Sequence, residues 1–384
     1  MPFLLKGDIP MKIKPFGVEE WMNEYEVGAK YNIAETCVDS LSLSELLKIC
    51  DVKEDEFTDA LLKRRLTYGD IEGAPEYKKG ISKLYRTIGP ENIVTTHGAA
   101  GANHHVFYSL IEPGDRVISI SPTYQQLVSI PESFGAHVEI LELRKDDGYI
   151  PNLHKLKELA TQDTRLICIN NPNNPTGALM SKELLIGIID IAKSVDAWVL
   201  CDEVYRHLTQ EDGWSESVVD LYEKGISTGS MSKAFSLAGL RCGWIATHDS
   251  SLVKAMLSHR DYDLISGSVI DEMIAGIALA SSEKLLARSK SIVRESLSVL
   301  DDWVKSEMHV SYVKPQAGTT ALIYYDFDIP SREFCRNMYY STGAFVVPGE
   351  RFGMEHCFRL GYAYGIENLK KGLAAVSEYM RSIE

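Results

Sequence analysis

The sequence predicts an α/β protein. A large domain with a mostly parallel, mixed sheet covered by helices is joined to a smaller α+β domain. Three observations carry this. The 384 residues exceed one average domain, so a large unit plus a smaller one is the natural division. Between about 116 and 228, short β-branched runs alternate with amphipathic helical stretches, the pattern of a parallel sheet covered on both faces. After about residue 270 the alternation gives way to long amphipathic helices and isolated short strands. The division expected is 45–270 for the large domain, with 1–44 and 271–384 forming the small one.

Taken in order, a helix at Val18 to Glu26 lacks a sheet beside it in sequence and is assigned to the small domain. A helix running to about Leu110 follows the small-residue stretch Thr96 to Ala102. Strands are expected at Arg116–Ile120, His137–Leu141, Arg165–Ile169, Trp198–Cys201 and Gly225–Thr228, with helices from near Tyr124 and from Lys182 to Val195. A long, interrupted helix should cover Val269 to Lys305. Short strands at Ala321–Tyr325 and Phe358–Gly361 and a helix from Ile366 to Met380 complete the chain. In such sheets ligands bind at the carboxyl ends of the strands.

A hydrophobic fraction of 45% and a charged fraction of 24% describe an ordinary globular chain. A net charge of −14 repels nucleic-acid phosphate and anionic membranes, so neither is expected as a partner. Seven cysteines without CxxC spacing argue against a disulfide scaffold or a metal site and suit a reducing cytoplasm. The apolar patch Phe3, Leu4, Leu5 is too short for a secretory signal, and no apolar run reaches the roughly 20 residues of a membrane span.

Six segments carry chemistry. Ser230-Met-Ser232-Lys233 follows a strand, with Arg241 downstream; a lysine there can form an imine with an aldehyde cofactor, while hydroxyls and a guanidinium hold a phosphate. The bare tetrapeptide also reads as a surface turn. Asn171-Pro-Asn-Asn174-Pro175-Thr-Gly177 is a stiff loop at a strand end, and Asn174 can donate to a phenolate-like oxygen; as a plain turn it would need no ligand. Asp202 ends an apolar strand, either as a helix N-cap or as the partner of a pyridinium nitrogen. Tyr205, one turn on, is placed to assist Asn174. The stretch around Ala100 and Gly101 suits phosphate at a helix N-terminus, or simply close helix packing. Tyr124 can stack on a flat ring or fill the core. Arg359 lies in an apolar strand, where a buried guanidinium requires a carboxylate from substrate or protein.

In this order the segments resemble the class I/II pyridoxal-phosphate-dependent aminotransferases, over about Tyr68 to the C-terminus. The resemblance implies a type I fold with pyridoxal 5'-phosphate as cofactor, Lys233 as its Schiff-base lysine and proton shuttle, and Asp202 on the ring nitrogen. Asn174 and Tyr205 would bond the ring hydroxyl, and Tyr124 would stack on the ring. Ser230, Ser232, Arg241 and the amides near Ala100 and Gly101 would hold the phosphate. It further implies that Arg359 binds the substrate carboxylate and that Tyr68 reaches the phosphate of a neighbouring subunit, hence a homodimer with shared sites. The substrates implied are an amino acid and a 2-oxo acid.

The chain departs from the family pattern at Ile33–Ser40, where a Gly-x-Pro stretch is common, and at Ala100, where many relatives carry a hydroxyl. It also offers no second arginine for a dicarboxylic side chain. Glu19–Met22 and Glu35 resemble the capreomycidine-synthase-like branch, which handles a guanidinium amino acid, so Glu35 is a candidate for substrate contact. Its bland alternative is a solvated or helix-capping carboxylate. A lyase or cyclising reaction on the same cofactor, and a binding protein on the same fold, are the competing functions.

Overall fold

A computed structural model describes residues 13–384; the apolar patch at residues 3–5 lies outside the described residues. The alternating region folds into a seven-stranded sheet. Its strands are β1 (Ile93–His97), β2 (Arg116–Ser121), β3 (His137–Glu142), β4 (Thr164–Asn170), β5 (Trp198–Asp202), β6 (Gly225–Ser230) and β7 (Cys242–Thr247). They lie in the order β1-β7-β6-β5-β4-β2-β3. β7 runs antiparallel to both of its neighbours and the remaining pairs are parallel, so the sheet is mixed and mostly parallel.

The middles of β4 and β5, Leu166–Ile169 and Trp198–Cys201, are apolar because both of their faces are covered. Successive side chains go to opposite faces. Ile167 and Ile169 of β4, with Val199 and Cys201 of β5, join one buried cluster. Leu166, Cys168, Trp198 and Leu200 join the other. The same alternation carries Asn170, Asp202 and Ser230 to the carboxyl edge, where the polar groups gather.

The second sheet is smaller and antiparallel. It contains β8 (Val310–Tyr312), β9 (Thr320–Tyr325), β10 (Val347–Pro348) and β11 (Cys357–Gly361), in the order β10-β11-β9-β8. The helices Ser331–Thr342 and Ile366–Ile383 belong with it, and the long interrupted helix appears as Val269–Ala280 followed by Ser282–Ser306.

Helix α1 (Gly17–Tyr25) packs on this smaller part through Trp21, which is fully buried and donates from Nε1 to the Val346 carbonyl at 2.8 Å. It also touches the large sheet's edge, since the Gly17 amide donates to Gln125 Oε1 at 2.9 Å. α1 therefore spans the mouth between the two sheets.

Two local expectations are corrected. The helix expected from near Tyr124, after the Pro122 turn, starts at Gln126, which leaves the tyrosine in the turn at the strand edge. No helix follows Asp202. Its Oδ1 accepts from the Val204 amide at 3.2 Å and caps a non-helical turn, so Tyr205 arrives by tight turns and not by a helical one.

Candidate active site

A cavity of about 290 Å³ opens at the carboxyl edge of the large sheet. It is walled by the ends of β4, β5 and β6, the start of helix α2 (Gly98–Leu110), the 230–241 turn, Arg359 of β11, residues 34–36 and α1. Of the residues singled out in the sequence, Lys233, Asp202, Tyr205, Asn174, Tyr124, Ala100, Ser230, Ser232, Arg241, Arg359 and Glu35 all line it. Gly101 does not: the first turn of α2 presents Ala99 and Ala100 instead. Tyr68 also lies outside and is 73% exposed in the single chain.

Asp202 is buried, and burial raises its carboxyl above the usual aspartate value despite the help of Asn103 and the Val204 amide. Asn103 Nδ2 donates to Asp202 Oδ2 at 3.0 Å, and Thr228 Oγ1 donates to Asn103 Oδ1 at 2.8 Å. This relay across α2, β5 and β6 fixes the carboxylate's orientation, and sequence reasoning missed it. No lysine, arginine or histidine forms an ion pair with Asp202 among the described residues. A carboxylate so placed suits a cation brought by a ligand.

The Asn-Pro loop is held from within. Asn170 Oδ1 accepts from the Asn174 amide at 2.7 Å, and Asn173 Oδ1 from Thr176 Oγ1 at 2.7 Å. Gly177 closes the loop with φ +71°, and a Cβ there would lie 2.6 Å from Pro315 Cβ. The outcome is a fixed Asn174, whose Oδ1 accepts from Arg359 Nη1 at 3.4 Å while Nδ2 makes no bond among the described residues.

Tyr205 is 2% exposed and lines the cavity, and its hydroxyl has no hydrogen-bond partner among the described residues. Arg359 is buried as well, with its pKa lowered by burial. Nη2 donates to the Ala34 carbonyl at 3.2 Å, while Nε has no partner among the described residues. Among the described residues it pairs with no protein carboxylate. The sequence left open whether substrate or protein supplies its anion; no described protein carboxylate does.

Lys233 donates from Nζ to Thr36 Oγ1 at 2.7 Å and lies 3.5 Å from Cys37 Sγ. Burial works against its charge, but Cys37, Tyr205, Glu35 and Tyr124 around it hold the pKa above the ordinary lysine value. Of these, Glu35 is the anion at neutral pH. Its own carboxyl is penalised by burial, yet Lys233 and the Cys37 and Thr36 amides hold it below the usual glutamate range. Glu35 Oε1 accepts from those amides at 2.8 and 2.7 Å. It lines the cavity and binds two backbone amides of a non-helical segment, so it is neither solvated nor a helix cap; the next helix starts at Leu43 and is capped by Ser42. Burial pushes the Cys37 thiol up to about 11, so it is not a thiolate.

At the phosphate end, Ser230, Ser232, Ala99, Ala100 and Arg241 converge. Gly98 turns strand into helix at φ +66°, and a Cβ there would lie 2.7 Å from Arg241 Nη2. The helix start and the guanidinium therefore approach each other closely enough to share one anion.

These residues fit pyridoxal phosphate. The unpartnered Tyr205 hydroxyl and the free Asn174 amide suit the ring oxygen, the uncompensated Asp202 carboxylate suits a protonated ring nitrogen, and the helix start with Arg241 suits the phosphate. Fold and donor set together define a pyridoxal-phosphate-dependent enzyme of fold type I.

Comparison with known proteins agrees. Residues 43–376 match the family model of aminotransferases of class I and II, and the chain belongs to that family. It is 28% identical over 376 residues to capreomycidine synthase of Streptomyces vinaceus, covering 97% of this chain and 95% of that one. Aspartate aminotransferase of Pyrococcus horikoshii is 30% identical over 331 residues, covering 81% and 82%. The crystal structure of a PLP-dependent aminotransferase from Streptococcus suis superposes with a TM-score of 0.94 at 42% identity, covering 97% and 99%. The protein is a pyridoxal-phosphate-dependent aminotransferase that moves an amino group between an amino acid and a 2-oxo acid.

Proposed function

We propose that this site works with Lys233 as the covalent anchor and proton carrier, Asp202 as the ring-nitrogen partner and Arg359 as the carboxylate clamp. The observation that carries the reading is Arg359: a buried guanidinium without a protein anion, in the same cavity as a lysine. An amino acid held there by its carboxylate presents its Cα toward the lysine side of the cavity.

When bound, pyridoxal phosphate supplies a sink for the electron pair left at Cα. Lys233 Nζ would take the proton from the substrate Cα and hold it for return. Thr36 Oγ1 gives that nitrogen a fixed station when it is free. Asp202, oriented by Asn103, keeps the ring nitrogen protonated. Tyr205 and Asn174 hold the ring oxygen. Tyr124, which lines the same cavity and whose hydroxyl donates to Glu19 Oε1 at 3.1 Å, would stack on the ring. Ser230, Ser232, Arg241 and the α2 amides take the phosphate, with Gly101 acting only through the turn it belongs to.

Tyr68 is exposed in the single chain, and so are Leu62, Leu66 and Ile71 near it in sequence. This run of exposed apolar residues supports a homodimer in which Tyr68 completes the partner's phosphate site. Seven free cysteines support a reducing, cytoplasmic setting, and no helix among the described residues is long and apolar enough to cross a membrane.

A second reading, a synthase built on the same machinery, is supported by the 28% identity with capreomycidine synthase across nearly the whole chain. Product analysis separates the two. Amino transfer that depends on added 2-oxo acid supports the first, while product formed without one supports the second. Borohydride reduction of the holoenzyme should label Lys233; a label on another lysine refutes the anchor.

A further inference from the structure

One short segment touches both Arg359 and Lys233. The Ala34 carbonyl accepts from Arg359 Nη2, and two residues on, Thr36 Oγ1 accepts from Lys233 Nζ at 2.7 Å. Both lie in the stretch where the chain departs from the family's Gly-x-Pro pattern. The segment is pinned along its length. The Ile33 carbonyl accepts from the Gly361 amide at 2.9 Å, and the Asp39 amide donates to the Ala363 carbonyl at 2.9 Å. Between these pins, Thr319, fully buried just before β9, donates from Oγ1 to the Thr36 carbonyl at 2.6 Å. Gly361 of β11 backs the middle so closely that a Cβ there would lie 1.9 Å from the Glu35 carbonyl oxygen. The Thr36 backbone therefore has a fixed place beside the lysine.

Among the described residues the Thr36 hydroxyl bonds Lys233 alone. A hydroxyl has one donor and two acceptor sites. Toward an ammonium it accepts, and its own proton stays unused. Rotation about Cβ–Oγ1 brings that proton onto the lone pair of a neutral amine, while the oxygen stays where it is. Lys233 thus keeps a partner in the same place whether or not it carries its extra proton. Cys37 Sγ, at 3.5 Å, is a weaker partner.

We propose that Thr36 is a positioning residue for Lys233, holding Nζ at one station in both protonation states and setting how readily it gives up its proton. The proposal rests on the aminotransferase reading, in which that nitrogen must be neutral to take the Cα proton. A hydrogen bond to a charged group is the stronger of the two, so Thr36 favours the ammonium. The titratable and charged groups that act on Lys233 are Cys37 and Glu35 of the same segment, Tyr205 and Asp202 at the end of β5, and Tyr124 after β2. Arg359 and Arg241 line the same cavity. All of these stay in place when only the Thr36 hydroxyl is removed, so its share is read by difference.

Thr36→Val keeps the branched shape and removes the hydroxyl, while Thr36→Ser keeps the hydroxyl. The first readout is independent of turnover. The full chain, stripped of cofactor, is mixed with pyridoxal phosphate, and capture by the lysine is followed by absorbance with Lys233→Ala as the blank. Only the neutral amine attacks the aldehyde, so below the lysine pKa the capture rate rises about tenfold for each unit by which that pKa falls. A charged hydrogen bond exceeds a neutral one by roughly one pKa unit. Thr36→Val should therefore capture the aldehyde about tenfold faster. The second readout is a single turnover of the holoenzyme with an amino acid deuterated at Cα. Here Thr36→Val should be about tenfold slower, with a larger isotope effect and little change in apparent KM, because Arg359 is untouched. Thr36→Ser should return both rates toward wild type. The opposite signs are the signature, since a packing defect slows both steps. Capture by Thr36→Val that is unchanged or slower, an unchanged turnover rate, or no recovery in Thr36→Ser overturns the proposal. Wild-type capture without any turnover dependent on 2-oxo acid overturns the aminotransferase reading, and Thr36 then stands or falls on the capture rate. Capture by Lys233→Ala as fast as wild type overturns both.

Discussion

Replacing Asp202 by asparagine separates the charge of this side chain from its shape. Oδ1 can still accept from the Val204 amide, but the new Nδ2 faces the Asn103 amide, donor against donor. Asn103 can relieve this by flipping. Thr228 then accepts in place of donating, while the 3.3 Å contact to Gln126 Oε1 turns unfavourable. One hydrogen bond at about 1 kcal/mol is the scale of that change. Opposing it, burial raises the native Asp202 pKa, so its ionised form weighs against the folded, cofactor-free protein above the unfolded pKa. Removing the charge should therefore leave the cofactor-free variant as stable as wild type, or more so, near neutral pH. The advantage should shrink as pH falls into the ordinary aspartate range.

Activity should move the other way. Breaking a buried ion pair costs about 3–5 kcal/mol, and each 1.36 kcal/mol is tenfold, so kcat should fall by about two to nearly four powers of ten. Cofactor should stay bound, since the lysine and phosphate contacts remain. The assays are thermal melts of the cofactor-free proteins at two pH values and single-turnover kinetics of the loaded ones. A variant within threefold of wild-type kcat would refute the charge argument, and one that melts much lower at neutral pH would refute the burial argument.

Two further tests follow from the geometry. Arg359→Lys keeps a charge but loses the planar fork and the paired contacts to Asn174 and Ala34, so the apparent KM should rise about tenfold for every amino acid, whatever its side chain; a rise confined to one substrate class would move Arg359 out of carboxylate binding. Tyr68→Phe should weaken cofactor retention, and mixed dimers with Lys233→Ala should recover one intact site; verified mixed dimers without any recovery would place each site within one chain.

The sequence by itself determined the class of fold and about half of the residues that line the cavity. Arg165–Ile169 and Trp198–Cys201 are apolar because both faces of a central strand are covered, and that is visible locally. Lys233, Asp202 and Asn174 stand at strand ends, where turn residues mark the edge. Strands β1 and β7 were passed over: their partners lie on other segments, and their Thr, His, Cys and Gly content carries little period-2 signal. Only the tertiary structure decided what lies behind and beside those residues. Asn103 reaches Asp202 across 99 residues of chain, and Lys233 reaches Thr36 across 197. It also showed that Glu19, Glu26 and Glu35 line one cavity. Local propensity and spacing act over a few residues, whereas these contacts exist only because the order of strands in the sheet and the docking of α1 bring distant segments to one edge.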